Sequence, residues 1–225
     1  MHRRMAALTG PKWGPKNGGA PKMVVFLLHG LGADGNDLID LAPFWGDAVP
    51  EAVFLAPHAP EPHDGAPFGR QWFSLSNRSP PALLAGVQVA RPALDAMIDE
   101  ACAAYGLPAS AVALMGFSQG AMMALYTGLR RAQPVAGIMA YSGMLIGAET
   151  LAGEIVSRPP VLLVHGEVDE VVPAAASRQA ESVLGAIGVP VESTFAPSLG
   201  HGIDDAGLSA GALFLQRAAA GIAGA

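Results

Sequence analysis

One serine in this chain occupies a position where its hydroxyl could act as a nucleophile. Ser118 lies in Gly116-Phe117-Ser118-Gln119-Gly120, between the apolar run Ala111 to Met115 and the small-residue run that begins at Ala121. A serine hydroxyl attacks only when a base takes its proton, so it must project to where a histidine can reach it. A sharp strand-to-helix turn does this, and glycines two positions to either side remove the Cβ atoms that such a turn would crowd. The same turn leaves the N–H of Gln119 at the helix start, available to a developing oxyanion. With 28 glycines in the chain, a Gly-x-Ser-x-Gly match is informative only in a strand-turn-helix setting, and that setting is present.

For chemistry of this kind on a sheet with helices, the acid and then the base follow the serine. Two histidines follow Ser118. His165 closes an apolar run, so its ring is expected to lean into the packed interior. His201 stands between Gly200 and Gly202 on a loop, which suits a base that must reach over the serine. Among the carboxylates, Asp204 and Asp205 precede the last helical pattern and are expected to cap it. Glu167, Asp169 and Glu170 remain. Asp169 is preferred, because a short carboxylate ahead of Val171-Val172-Pro173 can be held against the imidazole Nδ1–H; Glu167 is the alternative. A second oxyanion donor is expected from His29-Gly30-Leu31-Gly32, through the N–H of Leu31. That glycine loop lacks the GxGxxG and GK[ST] patterns of phosphate sites.

Elements to position these residues are legible as short apolar runs closed by Gly or Pro, near 23–28, 52–56, 111–115, 135–141, 160–164 and 191–195. Helical patterns separate them: a stretch beginning at Asn36, a long one from Pro81 to Gly106 in which Pro92 should produce a kink, and three more after Ser118, after Pro173 and from Asp204. Alternation of this kind implies an α/β fold, a mostly parallel sheet with helices on both faces and functional residues just beyond the strand ends. Residues 1–22 read as an irregular lead-in with room for an edge strand at Met5 to Leu8, and 23–225 as a single catalytic domain. Pro57 to Pro81 has no clear periodicity, and a loop of that length is expected to be a lid or binding loop.

Composition narrows the partners. The 225 residues are 51% hydrophobic and 14% charged, enough to bury a large core, and the net charge of -6 argues against a nucleic-acid surface. No segment has the roughly 18 apolar residues of a membrane span. Neither a signal peptide nor stable membrane insertion is expected, and the expected compartment is the cytoplasm. Cys102, the only cysteine, reads as a small buried apolar side chain on a helix. No metal and no cofactor are called for. The expected partner is a small-molecule ester, and oligomeric state is left open, a homodimer included.

Taken together, "HGLGADG", "QWFSL", "GFSQGA", "YSGML", "HGEVDEVVP" and "GHG", in this order, resemble the phospholipase/carboxylesterase family of α/β-hydrolases, which includes the acyl-protein thioesterases. The resemblance runs from about Met23 to the C-terminus. It implies an α/β-hydrolase fold, Ser118 as nucleophile, Asp169 as acid, His201 as base, oxyanion donors at Leu31 and Gln119, and Trp72 at the entrance. The apolar loop residues Trp72, Phe73, Met144 and Leu145 are the expected acyl pocket. The segment His58 to Arg70 departs from the thioesterase members, and the chain looks closer to the small-ester hydrolases. The function expected is that of a serine carboxylesterase on small to medium-chain esters. A thioesterase or lysophospholipase with the same residues is the nearest alternative, and a non-catalytic binding protein of the same fold a further one.

Overall fold

The computed structural model describes residues 8–224. Seven strands form the main sheet in the order β1 (Lys12–Trp13), β3 (Ala52–Leu55), β2 (Met23–Leu28), β6 (Val112–Phe117), β7 (Gly137–Tyr141), β8 (Val161–Gly166) and β9 (Val191–Ala196). All neighbours pair in parallel except β1, which runs antiparallel to β3. The central strands are buried on both faces, which is why they read as continuous apolar runs. Their side chains still alternate between two cores. Val24, Phe26 and Leu28 pack on one side with α3 (Pro80–Tyr105), α4 (Gln119–Gly128) and α6 (Ala175–Ala186). Met23, Val25 and Leu27 pack on the other with α2 (Ala42–Gly46) and α7 (Asp205–Ala223).

Several details differ from the expectations. The edge strand is Lys12–Trp13, where Trp13 packs edge-on against Phe54 with ring centroids 5.9 Å apart, so part of the lead-in is ordered by the outer edge of β3. The strand expected at Met5 to Leu8 falls outside the described residues but for Leu8, which is not in a strand. The first helix starts one cap earlier than its sequence signal: Asp34 accepts from the Asn36 N–H at 2.8 Å, and α1 (Gly35–Leu38) passes into a 3-10 turn before α2. Pro92 does lie inside the one long helix α3, as expected. A short helix not foreseen, α5 (Ala148–Glu154), follows β7. The long loop contains a small antiparallel ribbon, β4 (Glu61–Pro62) with β5 (Arg70–Gln71). Cys102 is half-buried on α3, and burial pushes its thiol pKa up. No helix among the described residues is long and apolar enough to cross a membrane.

Candidate active site

The turn between β6 and α4 is fixed by what cannot fit there. A Cβ on Gly116 would lie 2.2 Å from the Gly120 carbonyl, and a Cβ on Gly120 would lie 1.8 Å from the Leu28 carbonyl oxygen. Helix α4 and strands β6 and β2 therefore meet backbone to backbone. Ser118 itself has φ 54° and ψ -116°, a conformation that costs a non-glycine residue about 1–3 kcal/mol. Its N–H donates to the Tyr141 carbonyl at 2.9 Å, and its carbonyl accepts from Ala121 and Met122, so both flanks hold the strained residue in place. The side chain is half-buried and faces a cavity.

Asp169 follows β8. Its side chain is fully buried and its two oxygens divide the work: Oδ1 accepts from the N–H groups of Val171 (2.8 Å) and Val172 (2.9 Å), and Oδ2 accepts from His201 Nδ1 at 2.7 Å. Burial pushes this carboxyl up, but the His201 bond and the two backbone donors outweigh it and hold the pKa below the ordinary value. A carboxylate accepts only, so His201 carries its proton on Nδ1 and leaves Nε2 for chemistry. The ring of His201 rests against Phe117, centroids 4.8 Å apart. Acid loop and histidine loop are joined through their backbones, Glu167 N–H to the Ala196 carbonyl and Val168 N–H to the Leu199 carbonyl. Asp204 caps α7 by accepting from the Gly207 N–H. Glu167, the alternative acid, points elsewhere and pairs with Arg178.

His165 is buried as expected, but its contacts reach further than packing. Nε2 must carry hydrogen, because it lies 2.8 Å from the Val172 carbonyl, and it is also 3.2 Å from Asp169 Oδ2. Nδ1 then accepts from the Ser177 hydroxyl at 2.7 Å. This histidine thus braces the acid loop from beneath. The only sequence signal for it is the spacing of four residues to Asp169.

Ser118 and His201 line one cavity of about 420 Å³, together with Gly30, Leu31, Leu75, Leu83, Met122 and Met144. Among the described residues no hydrogen bond joins the Ser118 hydroxyl to His201; the two meet across the cavity. Wider clefts exist, one of about 730 Å³ against Phe214 and Arg217, but they bring together no comparable set of reactive groups. Leu31 lies on this wall, in a loop pinned by the Gly32 N–H to the Arg70 carbonyl. Neither the Leu31 nor the Gln119 N–H is taken by another backbone carbonyl among the described residues.

The pocket expectation is corrected at three positions. Trp72 is 1% exposed, its indole N–H donates to the His29 carbonyl at 3.0 Å, and it does not line the cavity of Ser118. Phe73 is likewise buried, and both instead border a separate cleft against α3. Leu145 packs on the core, leaving Met144 as the one of the four at the cavity. The physical reason is the Gln119 side chain, fully buried, whose Oε1 accepts from the Trp72 N–H (2.9 Å) and whose Nε2 donates to the Phe73 carbonyl (2.6 Å). That clamp pulls the aromatic pair inward. His29 completes the anchor: Nδ1 donates to the Gly30 carbonyl, Nε2 accepts from the Ala59 N–H, and burial lowers its pKa so that the ring is neutral. Sequence reasoning missed Leu75, Leu83 and Met122; only Met122, one helical turn beyond Ser118, carried a usable signal.

Ser118, Asp169 and His201 thus leave the sheet at the carboxyl ends of β6, β8 and β9, on the sheet and helix arrangement of the α/β-hydrolases, a fold of serine hydrolases. The chain belongs to the Phospholipase/Carboxylesterase family, whose model matches residues 16–218. It is similar to a protein named acyl-protein thioesterase 1 from Neurospora crassa, 29% identical over 195 residues that cover 79% of each chain. It is also similar to esterase YpfH of Escherichia coli K12, 28% identical over 186 residues, 82% of this chain and 78% of that one. Among solved structures, esterase PE8 superposes with a TM-score of 0.88 at 44% identity, covering 93% of this chain and 98% of its own.

Proposed function

We propose that this chain is a serine carboxylesterase that hydrolyses small to medium-chain carboxylic esters through an acyl-enzyme. The observation that carries the reading is the buried Asp169 holding His201 Nδ1 at 2.7 Å while a serine at positive φ lines the same cavity as that histidine. His201 Nε2 takes the proton of Ser118, and the Ser118 oxygen forms a bond to the ester carbon. The carbonyl electrons move onto oxygen, which receives the N–H groups of Leu31 and Gln119. Collapse of the intermediate breaks the bond to the alcohol oxygen, and the alcohol leaves with the proton from His201. Water, deprotonated by His201, then attacks the acyl-enzyme; the bond to the Ser118 oxygen breaks, the acid is released and His201 returns the proton to Ser118. The contact between Ser118 and His201 is one that commonly tightens only once substrate is bound.

Leu75, Leu83, Met122 and Met144 supply the apolar surface for the acyl half, and a space of about 420 Å³ accords with small to medium chains. A cytoplasmic setting accords with a chain whose single cysteine has no partner within it. The test combines a label and a series. A fluorophosphonate should modify Ser118 and abolish turnover, and oxygen esters from acetyl to octanoyl should be cleaved faster than thioesters of the same acyl groups. Failure to label removes the catalytic reading; faster thioester cleavage replaces esterase by thioesterase.

A further inference from the structure

Arg78 is the one arginine among the described residues with neither an ion pair nor a hydrogen bond. Others hold carboxylates, as Arg130 does with Glu154 and Arg131 with Asp95 and Asp99; Arg70 and Arg158 hold backbone carbonyls. The exception stands at the cavity of Ser118 and His201. Arg78 ends the loop that leads into α3, on the wall shared with Leu75, Leu83, Met122 and Met144. A guanidinium is always charged and presents a planar fork that matches an oxyacid in two parallel hydrogen bonds. Arg78 is exposed and lines the same cavity as those apolar side chains, so its guanidinium is open to an anionic group on a molecule bound at Ser118.

Resting on the esterase reading, we propose that Arg78 is a specificity-determining residue that selects esters whose acyl half ends in a carboxylate, the monoesters of dicarboxylic acids. The rest of the mouth decides between anions. Asp37 lines the same cavity, exposed and without an ion pair among the described residues. A singly charged carboxylate at Arg78 tolerates that second charge better than a doubly charged phosphate would. The apolar lining of the cavity, Leu75, Leu83, Met122 and Met144, receives the methylene spacer.

The test compares two p-nitrophenyl esters of equal carbon number, the hexanoate and the adipate monoester, on wild type, Arg78→Gln and Arg78→Lys. The adipate carboxylate is too distant to cleave its own ester quickly, so background rates stay comparable. Arg78→Gln should lower kcat/KM for the adipate monoester about tenfold more than for the hexanoate, as loss of a charge-assisted pair does. Arg78→Lys should recover part of that difference, because it keeps the charge and loses the fork. Raising salt from about 0.05 M to about 0.5 M should erode the same selectivity in the wild type. An unchanged ratio between the two substrates in Arg78→Gln, or an equal loss on both, overturns the inference while leaving the esterase reading standing. Hydrolysis of neither ester by the wild type overturns both.

Discussion

Ser118 and Asp169 are held in two different ways. The serine is fixed by exclusion: Gly116 and Gly120 allow backbones to touch, and the residue between them is forced to positive φ. Asp169 is fixed by attraction, with two backbone donors on one oxygen and His201 and His165 at the other. Exclusion leaves the hydroxyl unencumbered, as a nucleophile requires. Attraction instead uses up every lone pair of the carboxylate, which suits a group that must stay ionised and still. Removing a side chain should therefore cost little structure at the first position and much order at the second.

The largest expected effect tests the serine side. Ser118→Ala should reduce turnover of a simple ester by about 10⁴-fold or more with a melting temperature close to wild type, because the hydroxyl has no hydrogen-bond partner among the described residues. Retained activity within tenfold would remove Ser118 from the reaction; a large fall in melting temperature would show that the turn depends on more than its glycines.

Next comes the acid. Asp169→Asn should cost about 10³–10⁴-fold in kcat, since the amide no longer fixes the His201 tautomer, whereas Glu167→Gln, which breaks only an exposed pair with Arg178, should stay within a few-fold. The reverse order in steady-state kinetics would transfer the role to Glu167.

Trp72→Ala probes the anchor between the two regions. Filled by a 1% exposed indole, its site should lose about 3–5 kcal/mol of stability on truncation, seen as a lower denaturation midpoint, while relative rates across acetyl, butyryl and octanoyl esters keep their order. A changed chain-length order with normal stability would restore Trp72 to the acyl pocket.

The smallest effect is acid titration. The Asp169 pKa is lowered in the folded protein, so its ionised form contributes stability that is fully present above the unfolded value of about 3.9 and is lost as pH falls through the lower folded value. Unfolding free energy measured from about pH 5 downward should therefore fall less steeply in Asp169→Asn than in wild type. Parallel slopes would mean that the hydrogen bonds at Asp169 do not favour the charged form.

Most of the sheet was legible because parallel strands buried on both faces leave long apolar runs, and the elbow was legible because its glycines are needed locally, within five residues. Asp169 could be preferred over Glu167 on side-chain length and position alone, and the structure brings Asp169 and not Glu167 to His201. The lead-in strand at Lys12–Trp13 was not legible, since two residues carry no periodicity and are ordered by the edge of β3.

Local chemistry in the sequence determined where a nucleophile could stand, which strand ends could bring an acid and a base, and the family to which such motifs point. What tertiary structure alone decided is the inside of the long loop. Trp72 and Phe73 look like pocket residues by composition, yet a buried amide 46 or 47 residues away, that of Gln119, draws their backbone inward and turns Leu75 and Arg78 to the cavity. A hydrogen bond between distant residues leaves no periodic trace in the chain, because its geometry exists only after the core has closed around it.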